Sequence, residues 1–371
     1  MRDFLLAVLI VTALARSQIL CSQAIKDSAP AKSVTTPAKT IASTKTNAET
    51  KQQLALVKTV VPITAPTSLV GEAKCDTDGN LYVRSADRVT ISKFDSKGEP
   101  VATFKATSSP DVPQVDGAGM FTISADGEVY QLVLPHSYDR DVFIYKKDGS
   151  YKSLVKLDLG GPWSPSLFMV FPTGGFLATG QKWDRPTQQY VPFTGILSSN
   201  GTLLKELHLE DDDAIHEAAA RGDSRFVPGP VSGGLNFAIS RGKMEIGSDG
   251  NVYLLRWLNP AVIYAISPGG EVERRFTVDP GDPDLTAGGM AVAGNRIAVA
   301  FMKSPPGESV KDWLLEIVDL EGNKVATYGQ PVVDGHMAFG FSLACYTLNP
   351  EQFTFLSWDD EKLVFNITAP R

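Results

Sequence analysis

The chain holds only three cysteines and four histidines in 371 residues. That scarcity removes several kinds of chemistry at once. Cys21 lies in the N-terminal apolar stretch, and neither Cys75 nor Cys345 has a neighbour at metal-ligand spacing, so zinc ribbons and fingers are excluded. The histidines (His136, His208, His216, His336) are scattered. His216-Glu217 lacks a second histidine four residues on, which removes the zinc-protease helix. Glu210 to Asp213 does not match a calcium loop. Val231-Ser-Gly-Gly-Leu235 lacks the spacing of a nucleophile elbow. The glycine-rich stretches sit in hairpins and crossovers, without the strand-to-helix context of a phosphate loop. Basic charge is also short, with 35 Lys and Arg against 42 Asp and Glu and a formal net charge of -7. Residues 1 to 51 carry a net +4, which leaves -11 on the remainder. Phosphates need a positive field, so no nucleic-acid partner is expected.

Long apolar runs are missing as well. The longest, Phe4 to Ala15, follows Arg2 and is too short for a comfortable membrane span. Small residues at Ala13-Leu-Ala15 and Ser22-Gln-Ala24 suit signal peptidase. Residues 1–24 therefore read as a signal peptide, cleaved after Ala15 or Ala24 or retained as an anchor, and the protein as secreted, periplasmic or extracellular. Residues 25–53 are Ala, Thr, Ser, Lys and Pro with almost nothing large and apolar. Such a stretch cannot offset its ordering entropy and reads as a flexible linker. No stable membrane span is expected once the signal is cleaved.

What the chain has in quantity is a repeated phrase. It runs Asp-Gly-Asn-Leu-Tyr-Val at Asp78 to Val83, Asp-Gly-Glu-Val-Tyr at Asp126 to Tyr130 and Asp-Gly-Asn-Val-Tyr at Asp249 to Tyr253. Looser copies begin at Thr173, Ala293 and Asn349. Each is a tight turn opening a strand of alternating apolar residues. A second glycine turn follows in five repeats, at Gly98, Gly149, Gly201, Gly270 and Gly322. Every repeat thus offers four short strands, A to D. A unit of this size cannot bury its apolar face alone and must pack on its neighbours. Radially arranged four-stranded sheets make a β-propeller. The expected fold is all-β: a six-bladed β-propeller over 54–371, with a helical insertion at about 206–227. The last repeat lacks strand D, and Leu54 to Val61 is expected to supply it and close the ring. Cys75 and Cys345 fall at equivalent places on strand A of the first and last blades. They form either a disulfide or a pair of free buried thiols.

In Asp78-Gly-Asn-Leu-Tyr-Val83 with Phe94-Asp-Ser-Lys-Gly98, and in Asp249 to Tyr253, the chain resembles NHL-repeat proteins. More distantly it is similar to gluconolactonase- and regucalcin-like six-bladed propellers. It departs from the NHL pattern after Val83, where Arg84-Ser-Ala-Asp87 replaces Tyr-Val-Ala-Asp. The lactonase resemblance implies a divalent cation, such as calcium, held in the channel by a Glu, an Asn and an Asp from different blades. Glu72 sits near the place of the first ligand, with no Asn and Asp at matching places.

Function is expected on the face that carries the D-to-A crossovers and B-to-C turns, where loop length and side-chain variety concentrate. All five tryptophans fall on or beside it. With nearby polar side chains they give a ligand-binding set of Trp163, Trp183, Asp184, Arg185, Trp257, Trp313, Trp358, Asp359, His136 and Arg140. Such a ring suits a glycan, peptide or protein ligand. The competing reading is that each Trp wedges between blades as core. The acidic run Glu210 to Asp213, followed by an alanine-rich stretch, reads as a solvated helix start over this face. The strand A residues Ile123, Val170, Ile246 and Met290 suggest an apolar channel. The sequence therefore points to a monomeric binding protein with no cofactor. The alternative is a metal-dependent lactonase- or esterase-type hydrolase that uses Glu72.

Overall fold

The repeated phrase makes a locked turn. Asp76 accepts hydrogen bonds from the Asn80 amide (2.9 Å), the Asn80 side chain (2.8 Å) and the Tyr82 hydroxyl (2.9 Å). Asp249 repeats this with Asn251 and Tyr253, and Arg274 joins it at 2.5 Å. Side chains of this kind compete well for turn backbone, so the chain reverses where they occur.

The computed structural model describes residues 51–62, 72–85, 87–107, 115, 117–134, 140–159, 161, 163–220, 242–258, 260–303, 312–333, 336–340, 342–359 and 362–371. The expected signal peptide and nearly all of the linker lie outside these residues. Thr50–Arg371 form one unit.

Between the turns the strands pair as antiparallel sheets. One sheet holds β2 (Glu72–Cys75), β3 (Leu81–Arg84), β4 (Thr90–Phe94) and β5 (Pro100–Lys105). The next holds β6 (Gly117–Ile123), β7 (Val129–Leu134), β8 (Asp141–Tyr145) and β9 (Tyr151–Lys156). A third is β10 (Trp163–Val170), β11 (Phe176–Asp184), β12 (Gln189–Leu197) and β13 (Leu203–Leu207). A fourth is β14 (Lys243–Ile246), β15 (Val252–Arg256), β16 (Ala261–Ile266) and β17 (Val272–Val278). An eight-stranded sheet has two halves. One is β18 (Thr286–Ala293), β19 (Arg296–Lys303), β20 (Asp312–Asp319) and β21 (Lys324–Gly329). The other is β24 (Ser342–Leu348), β25 (Glu351–Asp359), β26 (Lys362–Pro370) and, outermost, β1 (Gln52–Val60). The halves meet through a short parallel contact, Gln52 opposite Tyr328 and Gln53 opposite Gly329. A small hairpin of β22 (Val332–Val333) and β23 (His336–Met337) lies between them in sequence.

The fold is propeller-like. β1 pairs antiparallel with β26 from Leu54 opposite Pro370 to Val60 opposite Phe365, so the N-terminal segment completes the C-terminal sheet. The strand starts at Gln52, two residues before the expected boundary. The inner strands lie side by side in the order β6, β10, β14, β18, β24, β2. Apolar clusters fill the spaces between neighbouring sheets. The one that joins the first sheet to the last contains Leu81, Val83 and Phe94 with Leu356, Leu363 and Phe365. Cys75 of β2 and Cys345 of β24 are paired as a disulfide across this junction, with Cα atoms 5.6 Å apart.

The second glycine of each repeat serves the same packing. Gly98 has φ of 90°, and a Cβ there would stand 2.8 Å from the Val61 carbonyl oxygen, against the outer strand of the last sheet. Gly201, with φ of 87°, would collide with the Lys156 carbonyl of the preceding sheet. Only glycine meets both demands. The last repeat lacks this glycine because its fourth strand arrives from the N-terminus and needs no turn.

One α-helix appears among the described residues, α1 (Asp212–Ala220), inside the expected insertion. Its acidic start is only partly solvated. Asp211 and Asp212 are buried, while Glu210 and Asp213 are exposed. The buried Arg256 guanidinium donates to Asp212 at 2.9 Å and stands 3.7 Å from Asp211. Tyr264 donates to Asp211, and the Leu209 amide donates to Asp212 at 2.9 Å. Burial pushes the Asp212 carboxyl above the usual range, although Arg256 and the Leu209 amide pull it down. These aspartates fasten the helix to β15 and β16 and are unavailable as a metal site.

Candidate functional site

Strand alternation sets the chemistry of the channel. In β14 the sequence is Lys243-Met-Glu-Ile246, and in β2 it is Glu72-Ala-Lys-Cys75. Successive side chains of a strand point to opposite sides. Met244 and Ile246 enter the apolar cluster toward the neighbouring sheet, as do Ala73 and Cys75 on their side. Lys243 and Glu245, and likewise Glu72 and Lys74, therefore share the other side of their strands. The four residues that suggested an apolar channel belong to the inter-sheet clusters: Ile123, Val170, Ile246 and Met290 all pack there. The side that β2 and β14 turn away from those clusters is charged.

Lys74 ties its two sides together. Its ammonium lies 3.4 Å from Glu72 on its own strand and 3.7 Å from Glu245 of β14. The side chains are mostly withdrawn from solvent, at 12% exposure for Glu72, 14% for Lys74 and 28% for Glu245. Beside this bridge is a cavity of about 230 Å³. Glu72, Lys74, Arg84 and Lys243 form its polar wall, and Met120, Phe121, Leu167, Phe168 and Met244 its apolar wall. It is smaller than the usual pocket for a drug-sized molecule and suits a small ligand.

The polar wall is incompletely satisfied. Glu72 Oε2 and Arg84 Nε are buried without a hydrogen-bond partner. Burial holds the Lys243 ammonium below the ordinary lysine range, and Lys74 and Arg84 add to this, while Glu72 and Glu245 only partly offset it. Burial also opposes the charge on Lys74, but Glu245 and Glu72 outweigh it and raise that amine. Glu245 is pushed up by burial, with partial compensation from Lys74 and Lys243.

The aromatic set fares differently. Trp163, Trp257 and Trp313 are buried. Trp163 packs on Phe193, with ring centroids 5.7 Å apart, and Trp313 on Phe355 at 5.3 Å. These three wedge between or within sheets as core and present no open stacking face. Trp183 is half-buried at the end of the β11–β12 hairpin, 5.1 Å from the Tyr190 ring. Beside it, Asp184 accepts from the Thr187 amide and hydroxyl, and Arg185 is exposed. Arg140 is half-buried and its carbonyl accepts from the Leu157 amide. Trp358 and Asp359 end β25, opposite Leu363 and Lys362. Their side chains, and all of His136, lie outside the described residues.

Glu72 does not fit the expected cation site. Its near neighbours are the cations Lys74, Lys243 and Arg84 and the carboxylate Glu245, which Lys74 already engages, and the three cations oppose a divalent ion. Among the described residues no group of three His, Cys, Asp or Glu side chains could hold a metal.

Neither a protein-family model nor a curated protein sequence matches the chain. Solved structures do. A Bacteroides fragilis protein described as exported is 12% identical, with a TM-score of 0.50 over 88% of this chain and 98% of that one. Virginiamycin B lyase from Staphylococcus aureus is 12% identical with a TM-score of 0.46, over 81% of this chain and 80% of that one. Regucalcin from Agrobacterium tumefaciens is 14% identical with a TM-score of 0.44, over 85% of this chain and 98% of that one. At such identity the likeness concerns fold.

Proposed function

We propose that the chain is a secreted six-bladed β-propeller, with turn phrases of the NHL type, that binds a small ligand in its central channel. The six-blade count is supported by the inner-strand order, by the short contact between the halves of the eight-stranded sheet, and by the apolar cluster that joins the first sheet to the last. Secretion is supported by the N-terminal composition of residues 1–24 and by the Cys75–Cys345 pair, which suits an oxidising compartment. Residues 25–51 would then act as a tether.

The observation that carries the binding reading is the cavity itself. It combines an apolar wall with buried polar atoms that have no partner among the described residues. Leaving such groups unpaired costs free energy, and a ligand that pairs them recovers it. The hydrolase reading lacks comparable support, because the cations Lys74, Lys243 and Arg84 outnumber Glu72 and Glu245 there.

A thermal-shift panel of small neutral, anionic and cationic molecules tests this, using wild type and a Leu167→Trp variant whose indole fills the cavity. Stabilisation by some members, lost in Leu167→Trp, is the expected result. Absence of any stabilisation, or stabilisation unchanged in the filled variant, would reject the channel as the site.

A further inference from the structure

Among the described residues the charges at the cavity do not balance. Lys74, Lys243, Arg84 and Glu72 line it and Glu245 stands beside Lys74, three cations against two carboxylates. Both carboxylates are engaged by the one ammonium of Lys74. Lys243 makes no ion pair or hydrogen bond with any described residue, and Arg84 Nε is buried without a partner. The surplus positive charge sits inside a protein whose formal net charge is -7. In a low-dielectric space an unpaired cation is expensive, and it is relieved by an anion. Repulsion by the neighbouring cations strengthens that preference.

We infer that the channel cavity recognises a small organic anion, a carboxylate or related acid group held by Lys243 and Arg84. Its hydrocarbon body lies against Phe121, Leu167, Phe168 and Met244. The wall dictates this division. The cationic groups come from β14 and β3, and the apolar ones from β6, β10 and β14. Glu72 Oε2, the remaining unpartnered atom, is an acceptor only, so a hydroxyl or amino group on the ligand would be welcome there. Inorganic anions alone would leave the apolar wall unused. The inference rests on the channel reading above.

Three probes of matched size separate the charge requirement from cavity filling: hexanoate, hexanamide and hexylamine, each titrated calorimetrically into the full-length mature protein at neutral pH. Hexanoate is expected to bind about tenfold or more tightly than hexanamide, as a charge-assisted contact provides, and hexylamine more weakly than either. Lys243→Met should erase the preference for hexanoate, and Lys243→Arg should keep it. Removing a half-buried amine that pairs with no described residue is compatible with folding, and the arginine variant controls for shape. Hexanamide or hexylamine binding as tightly as hexanoate would overturn the inference while leaving the cavity as a binding site. A preference for hexanoate that survives in Lys243→Met would also overturn it. If none of the three binds, this inference fails and the channel reading fails with it.

Discussion

Lys243 is a costly residue to keep where it stands. It is half-buried, lacks an ion-pair partner among the described residues, and faces two further cations. Its pKa is lowered by burial first. Between that lowered value and the ordinary lysine value, the unfolded chain therefore binds more protons than the folded one, and stability rises with pH across the window. Lys74 has the opposite sign. Its raised pKa contributes stability that is present below the ordinary lysine value and is lost as pH climbs above it. Lys243→Met is predicted to fold at neutral pH within about 1 kcal/mol of wild type or above it, and to lose the rising limb of stability on the acid side of pH 10. Urea melts from pH 7 to 10 check this. A variant that is strongly destabilised at pH 7 would mean that the amine is paired after all.

At the scale of elements, the insertion helix depends on a distant strand. Arg256 at the end of β15 neutralises Asp211 and Asp212, and it also donates to Thr194 at 3.3 Å and Thr179 at 3.4 Å in the preceding sheet. Arg256→Met would leave two buried carboxylates uncompensated, at a cost of about 3–5 kcal/mol. Asp213→Ala, at the exposed neighbour, should change stability by no more than about 0.5 kcal/mol. Chemical denaturation of both variants separates the two roles, and equal effects would contradict the network. Little of this was legible in the sequence. The run Glu210 to Asp213 looks like a hydrated helix start when read locally, and its partner lies 44 residues further on. The strands of the channel were more readable than their interpretation. Glu72-Ala-Lys-Cys75 and Lys243-Met-Glu-Ile246 both alternate charge with apolar residues and carry opposite charges two apart. That is the signature of a strand with one charged side. Reading only the apolar members of such strands gave an apolar channel. For Trp163 and Trp313 side-chain type alone suggested a ligand face, whereas they fill space beside Phe193 and Phe355.

At the scale of the whole molecule, the turn phrases were sufficient to place the strands, because each encodes a local reversal. The completion of the last sheet by the N-terminal segment was also readable, since one repeat lacked its fourth strand and that segment resembled it. β1 supplies that strand and borders β21 as well. Deleting Gln52 to Val60 should bare the edge of β26 and lower the melting temperature sharply, by ten degrees or more, about the effect of several kcal/mol in a domain of this size. Deleting residues 22 to 51 should leave it nearly unchanged. Equal tolerance of both deletions would contradict closure by β1. The Cys75–Cys345 pair spans 270 residues. Replacing both by alanine is predicted to cost about 2–5 kcal/mol under oxidising conditions, read as a fall in the guanidinium midpoint, and to leave no further effect of reductant. A reductant-sensitive midpoint in the double variant would contradict that role.

The claim on which the rest depends is that the channel holds an accessible amine at Lys243 that pairs with none of the described residues. Competitive acetylation across pH, read by peptide mass spectrometry, measures this directly. Lys243 is predicted to reach half-maximal reactivity at a lower pH than a free lysine side chain, and to become protected when hexanoate is added. If Lys243 titrates together with a free lysine side chain, or stays unreactive while exposed lysines are modified, the account of the channel is wrong.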